Sequence, residues 1–273
     1  MNIMKFKKII LMHYKNHKRD FPWRKTRDPY KILVSEIMLQ QTQAPRVVPK
    51  YKSFLKKFPT TKALARAKLG NVLKEWQGLG YNRRALYLKQ CAVKIEKDFN
   101  GKLPKDFKTL CSLPGVGPAT AGDVMVFAWN IPVVVIETNI RSVFIHFFFD
   151  RNKSKKKVND KEIIPLIEKT LDKKNPREWY SALLDYGVYL KKTSNPSRQS
   201  IHHVMQLPFK GSYRQMRASV LKTILEKSKP SITKKKIEKK VGYEAKLLSK
   251  ILSDLQKEGF IKKIKDDSYT IAH

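Results

Sequence analysis

The sequence predicts an all-α chain that ends in a small mixed appendage, and three observations carry this. Apolar residues recur at helical spacing along most of the chain up to about Ser228. The only strand-like run in that stretch, Val133 to Ile136, reads as an extended connection. Gly115 and Gly117 place a tight turn between two helical stripes.

The elements follow in order. Asp28 followed by Pro29 is an N-cap and first-turn pair that opens a helix running to about Thr42. Apolar stripes mark further helices near Leu64 to Trp76, Ala85 to Ile95, Phe107 to Leu113 and Thr120 to Trp129. Others follow at Asn139 to Phe149, Lys161 to Leu171 and Glu178 to Leu190. Beyond residue 211 the grammar changes. Tyr213 to Glu226 reads as one helix, and Thr233 caps a short second one ending at Gly242. Leu247, Leu248, Ile251, Leu252 and Leu255 form the stripe of a third. Phe260 and Ile261 then lead into Lys262 to Lys265, a turn at Asp266 to Ser268, and Tyr269 to Ile271. Three helices and a hairpin describe either a small helical cap or a winged helix. The winged helix is preferred, with Lys246, Lys250 and Lys257 of its third helix facing a major groove. The expected domains are 1–211 and 212–273.

The chain holds 58 Lys and Arg against 23 Asp and Glu in 273 residues, a formal net charge of +35. Such an excess points to a polyanionic partner, although Lys153 to Lys157 and Lys234 to Lys236 also read as solvated faces. A membrane fits less well. No apolar run approaches the length of a span, no long segment separates a basic face from an aromatic one, and the N-terminus lacks the pattern of a signal peptide. A soluble, cytoplasmic, nucleoid-associated protein is expected. Cys91 and Cys111 lack neighbours at metal-ligand spacing and suit a reducing compartment. No dimerisation heptad is present, so a monomer is expected.

The run Leu113-Pro114-Gly115-Val116-Gly117-Pro118-Ala119-Thr120-Ala121-Gly122 lets backbone N–H groups converge on a phosphate oxygen ahead of a helix N-terminus that favours an anion. It is either an ordinary glycine-rich connection or the hairpin of a helix-hairpin-helix motif, which grips the DNA backbone without reading sequence. The charge favours the second. In the helix after Pro29, Glu36 stands among Ile32, Leu33 and Ile37. It is either a rim carboxylate or a buried one; burial would raise its pKa and keep a proton available for general acid catalysis. Gln40 and Gln41 are either surface helix formers or polar groups able to enter a base stack.

Arg19-Asp20-Phe21-Pro22-Trp23-Arg24, Asp28-Pro29-Tyr30 and Ser35-Glu36-Ile37-Met38-Leu39-Gln40-Gln41-Thr42-Gln43 together resemble the N-terminal signature of adenine-specific mismatch DNA glycosylases, the MutY family. Gly78-Leu79-Gly80-Tyr81 and Leu113-Pro114-Gly115-Val116-Gly117 are similar to that family and follow in its order. The resemblance spans roughly residues 15 to 205. It implies the two-lobed fold of the helix-hairpin-helix glycosylase superfamily, with a basic cleft between the lobes and double-stranded DNA carrying a mispaired or damaged base as partner. By position, Glu36 matches the acid that protonates adenine at N7, Gln41 and Tyr81 match wedges around the lesion pair, and the hairpin contacts phosphate, often with an alkali cation. Arg24, Gln40, Gln41, Thr42, Tyr81, Leu113, Gly115, Val116, Gly117, Ala119, Thr120 and Lys250 form the expected DNA-binding set. Glycosylases take the target nucleotide out of the stack, and a second carboxylate stabilises the oxocarbenium-like sugar, as in glycoside hydrolysis.

Four departures qualify the resemblance. Where the family has Asp-Gly-Asn, this chain reads Glu137-Thr138-Asn139, so Glu137 takes the second carboxylate position and Asn139 orients it. Ala119 stands where strand-cleaving relatives carry a Schiff-base lysine, which implies a monofunctional enzyme. Ala182 to Gly187 match the helix that leads into the family's cysteine loop, but the thiolate positions read Lys191, Arg198 and Ile201, so no iron–sulfur cluster is expected. Pro196, Ser197, Arg198, His202, His203 and Lys210 are expected to form a metal-free loop. The Nudix-like domain has no counterpart; residues 212–273 stand in its place. The expectation is removal of adenine opposite 8-oxoguanine or guanine. Removal of thymine or uracil opposite guanine, and non-catalytic lesion binding, are the alternatives.

Overall fold

The computed structural model describes residues 1–149, 157–205, 208–226, 231–265 and 267–272. Its elements are α1 (Ile3–His17), α2 (Pro29–Leu39), α3 (Ala44–Lys57), α4 (Thr61–Arg66), α5 (Leu69–Trp76), α6 (Arg83–Phe99) and α7 (Phe107–Cys111). Then come α8 (Pro118–Trp129), α9 (Thr138–Phe148), α10 (Asp160–Thr170), α11 (Pro176–Thr193) and α12 (Tyr213–Leu225). The chain closes with β1 (Ile232–Thr233), α13 (Lys234–Val241), α14 (Ala245–Lys257), β2 (Ile261–Ile264) and β3 (Ser268–Ile271). Lys153, Lys155 and Lys156, and Asp266 of the expected turn, lie outside the described residues. Among the described residues no helix is long and apolar enough to cross a membrane.

Asp28 caps α2 as its position predicts: its Oδ1 accepts from Tyr30 N at 2.9 Å and Lys31 N at 3.3 Å. The helix stops at Leu39 rather than Thr42, because Gln41 turns left-handed (φ 55°) and Thr42 N–H bonds back to Leu39 O. The stripe from Leu64 to Trp76 is two helices, α4 and α5, broken where Ala67 and Lys68 are extended. Two helices leave little mark in the sequence. α1 buries only Phe6 and Ile10 along 15 residues, and α3 carries Pro49 inside it, which removes a backbone donor. Val133 to Ile136 is extended and unpaired with any strand; Tyr180 pins it, its hydroxyl taking a hydrogen bond from Val135 N (3.0 Å) and donating to Val133 O (2.9 Å).

The residues group into two compact units, each built from two stretches of chain. The first comprises Met1–Ile37 and Leu103–Met205, the second Met38–Lys102 and Gln206–His273. This grouping differs from a division at 211/212, because α12 packs on α5 and the Gly70 α-carbon faces Ile271, within the second unit. In the first unit α11 packs on α9 and α1. Phe6 lies at its centre, its ring 5.0–5.8 Å from those of Phe144, Phe147, Phe148 and Trp179. Gly187 of α11 touches Asn139 so closely that a Cβ there would collide with the Asn139 backbone. In the second unit α4 and α5 pack on α6 around Phe54 and Trp76.

The C-terminal segment has the expected three helices. Thr233 Oγ1 caps α13, and Gly242 ends it in the left-handed region at φ 67°. The β-hairpin gains a strand: the antiparallel order is β1-β3-β2, with Ile232 opposite Tyr269 and Ile261 opposite Ile271. A three-stranded sheet completing three helices is the winged-helix arrangement.

Candidate active site

The first unit brings together three carboxyl groups from three elements: Glu36 on α2, Asp123 on α8 and Glu137 at the start of α9. The sequence around Glu36 forces this. Ile32, Leu33, Val34 and Ile37 are almost fully buried, so the helix sinks into the core and carries Glu36 with it. Burial raises its carboxyl to about 7; the Glu137 charge adds to the rise, while Arg24 and the Ser35 hydroxyl oppose it. A carboxyl with that value carries its proton into the neutral range, which a general acid requires.

Three donors converge on the Glu137 carboxyl. It is the N-cap of α9, and its Oε1 accepts from Asn139 N (2.6 Å) and Ile140 N (2.9 Å), while Asn139 Nδ2 donates to Oε2 at 3.1 Å. Burial pushes its carboxyl up, and these donors together with Arg141 pull against it. Asn139 therefore orients Glu137 directly, and Gly187 lets α11 approach close enough to support it.

Asp123 was not singled out by the sequence. Burial and the Glu36 and Glu137 charges push its carboxyl well above the usual range. The signal was present: a lone carboxylate in the apolar helix Pro118–Trp129, the same cue that marked Glu36.

The hairpin is a tight turn, with Gly115 at φ 77° and Val116 N–H bonded to Leu113 O at 3.1 Å. Leu113, Val116 and Thr120 are buried, whereas Gly117 and Pro118 are exposed. The side chains of the first three thus anchor the turn, and what it presents outward is backbone at the N-terminus of α8. Ala119 contributes no nucleophile.

The second unit holds the other predicted residues on two loops. Gln41 and Tyr81 are both exposed and both left-handed, at φ 55° and 47°, a conformation non-glycine residues hold only where the surroundings enforce it. Arg84 enforces it, and sequence reasoning missed it. Its Nη1 donates to Met38 O (2.8 Å) and Gln40 O (2.5 Å), and its Nη2 to Thr42 Oγ1 (3.0 Å), Gly80 O (3.1 Å) and Leu79 O (3.3 Å). One buried guanidinium ties both loops, and burial lowers its pKa to about 10. Thr42 is therefore a tie between loops, its hydroxyl turned to Arg84 and Leu79 O rather than outward. Gln40 is half-buried beside it.

Two of the expected DNA contacts are placed differently. Arg24 is committed to Asp185: its Nη1 and Nη2 donate to the two carboxylate oxygens at 2.8 Å each, and Arg19 Nε joins at 2.6 Å. Burial works to raise the Asp185 carboxyl, but the two arginines outweigh it and hold it below its usual value. The Arg24 charge also opposes the rise of the Glu36 carboxyl. Lys250 is exposed, but its ammonium lies 5.5 Å from the Tyr213 ring. The loop after α11 is fastened by backbone bonds, Val158 N to Gln199 O (2.8 Å) and Ile201 N to Val158 O (3.0 Å), while His202 reaches Asp160 at 3.5 Å. Cys91 is buried on α6 and Cys111 half-buried on α7.

Comparison with known proteins agrees with this arrangement. The family model of the HhH-GPD superfamily base excision DNA repair proteins matches residues 34–165. An adenine DNA glycosylase of Buchnera aphidicola subsp. Baizongia pistaciae is 34% identical over 201 residues, 72% of this chain and 56% of that one. The chain spans little more than half the length (53–57%) of the three Buchnera adenine DNA glycosylases it matches. A thymine/uracil-DNA glycosylase of Methanothermobacter thermautotrophicus is 30% identical over 192 residues, 70% of this chain and 86% of that one. Among solved structures, a thermostable thymine-DNA glycosylase superposes with a TM-score of 0.65 at 29% identity, covering 71% of this chain and 90% of its own. Signature, hairpin and fold converge, and the chain belongs to the HhH-GPD superfamily of base excision DNA repair proteins.

Proposed function

We propose that the chain is a monofunctional DNA glycosylase that hydrolyses the N-glycosidic bond of adenine mispaired with 8-oxoguanine or guanine in double-stranded DNA, acting as a monomer. The observation that carries this is the pairing of Glu36, whose carboxyl burial raises to about 7, with Glu137, whose carboxylate oxygens take three hydrogen bonds at a helix N-terminus. Burial raises both carboxyls, but only Glu137 has backbone donors pulling it back toward the anion, so the pair offers a proton donor and a hydrogen-bonded carboxylate to one reaction. Glu36 donates its proton to N7 of the purine, which turns the base into a leaving group. Glu137 faces the positive charge that grows on the sugar, with Asn139 fixing its direction, and water completes the hydrolysis. Burial and its two carboxylate neighbours push Asp123 toward its neutral form, which limits the negative charge in the site. Because Ala119 offers no amine, the product is an intact strand with an abasic site.

Phosphate contacts come from the backbone at Gly115 to Thr120, where turn carbonyls would also serve an alkali cation. Gln41 and Tyr81 wedge the duplex, and the lysines of α14 add charge. The residues do not fit a thiolate-held iron–sulfur cluster, since the chain has no cysteine after Cys111.

The test is single-turnover base release from duplexes carrying A opposite 8-oxoguanine, A opposite G, T opposite G and U opposite G, with and without alkali. Adenine release with breaks only after alkali is expected. The thymine/uracil relative and structure favour one second reading, removal of a pyrimidine opposite guanine; pyrimidine release without adenine release would establish it. Tight binding with no release from any duplex would leave a non-catalytic lesion binder.

A further inference from the structure

Tyr81 is held by the C-terminal segment. Arg214 of α12 donates from Nη1 to the Tyr81 hydroxyl at 2.6 Å, and its guanidinium carbon lies 5.5 Å from the ring centre. Arg84 lies at the same distance from the ring. Two residues beyond Tyr81, Arg83 reaches Glu258, the C-cap of α14, at 2.8 Å. Arg217, one turn after Arg214, takes both oxygens of the same carboxylate at 2.7 and 2.5 Å. These partners hold the Glu258 carboxyl below its usual range, with Arg217 the larger influence. The backbone of this loop is pinned by Arg46 at Gly78 O and by Arg84 at Leu79 O and Gly80 O, but the Tyr81 side chain stands out from it, the residue 36% exposed. An exposed ring on such a loop samples several orientations unless something outside the loop selects one.

We infer that the C-terminal winged-helix segment positions the wedge tyrosine, with Arg214 fixing the Tyr81 hydroxyl and the Arg83–Glu258–Arg217 cluster fixing the loop that carries it. Arg214 is a positioning residue acting through Tyr81. The segment is thus part of the base-extrusion apparatus, over and above any grip on phosphate. The inference rests on reading Tyr81 as a wedge in a base-excising enzyme.

A double-mutant cycle on the full chain tests it, with Arg214→Met, Tyr81→Phe and the double variant. The readouts are single-turnover base release from the A opposite 8-oxoguanine duplex and the fluorescence of 2-aminopurine next to the target. Each single change is expected to slow release and reduce unstacking by roughly tenfold, the double change no more than either alone, and Arg214→Lys to recover part of the loss. Multiplicative losses overturn the inference, and a salt slope of binding lowered by one phosphate contact would then assign Arg214 to DNA directly. Hydrogen exchange on the free protein separates this from the proposed activity. Arg214→Met is expected to speed exchange about tenfold at amides of residues 79–83, and unchanged exchange overturns the positioning role even if no duplex is a substrate. Absence of base release by the wild-type chain overturns the activity instead.

Discussion

Replacing Glu36 with glutamine removes one charge and almost no volume, so it isolates the electrostatics of the acid cluster. The Glu36 carboxyl is raised from 4.5 to about 7 by burial and by Glu137. Below pH 4.5 it is protonated in both the folded and the unfolded chain, and the substitution changes little. Between 4.5 and 7 the unfolded chain gives up a proton that the native state keeps, so wild-type stability falls as pH rises through this window. Above 7 the deficit is complete. At about 1.4 kcal/mol per unit the shift corresponds to about 3.5 kcal/mol, and the part-exposed edge of the side chain reduces this to about 2–3 kcal/mol. Glu36→Gln, neutral throughout, escapes the penalty. It is expected to match wild type near pH 4.5 and to exceed it by about 2–3 kcal/mol at pH 8, while losing base release and keeping DNA affinity. Urea denaturation from pH 4.5 to 9 measures the first, and single-turnover release the second. A stability difference that does not change with pH would refute the buried, protonated Glu36, and comparable turnover by the variant would refute its role as acid.

Other substitutions probe the neighbours. Glu137→Gln removes the anion and is expected to slow release by at least about a hundredfold; because the Glu137 charge helps raise Glu36, the alkaline limb of the residual activity moves to lower pH in a pH–rate profile. Asp123→Asn mimics the neutral form toward which burial pushes this carboxyl, so release at pH 7 is expected to stay within about threefold of wild type while stability at pH 9 rises; a much larger rate loss would give Asp123 a charged role. Gly187→Ala drives a methyl group into the Asn139 backbone and is expected to cost about 1–3 kcal/mol of stability. It should also lower the rate constant of the folded fraction, measured at saturating enzyme, because Asn139 then no longer aims Glu137.

What could be read in advance depended on how local the cause is. Glu36 was legible because its burial follows from four apolar neighbours on its own helix, and the hairpin because glycine spacing alone sets a turn. Asp28 fixed the start of α2 for the same reason. Asp123 offered the same kind of cue as Glu36, but on a helix whose reading was dominated by the glycines before it. Arg84 had no local cue at all. Its partners are carbonyls at positions 38, 40, 79 and 80, and nothing about an arginine on an amphipathic helix says that its guanidinium turns inward to two loops. Arg24 sits in a motif shared with DNA-binding relatives, yet its task is set by Asp185, far along the chain. The resemblance supplied the expected roles; the hydrogen bonds tie Asn139 to Glu137, a link the sequence alone does not show.

The interleaving of the two units has a consequence for how the chain is made. The first unit needs residues up to Met205, whereas the second waits for its C-terminal stretch, which begins at Gln206. On a ribosome adding roughly 5–20 residues per second, α3 to α6 therefore emerge early and stay without α12 and its sheet for several seconds. During that interval the face of α5 that receives α12 is uncovered. A chain released after residue 205 is then half finished: the three carboxyl-bearing elements have their partners, and Tyr81 lacks Arg214.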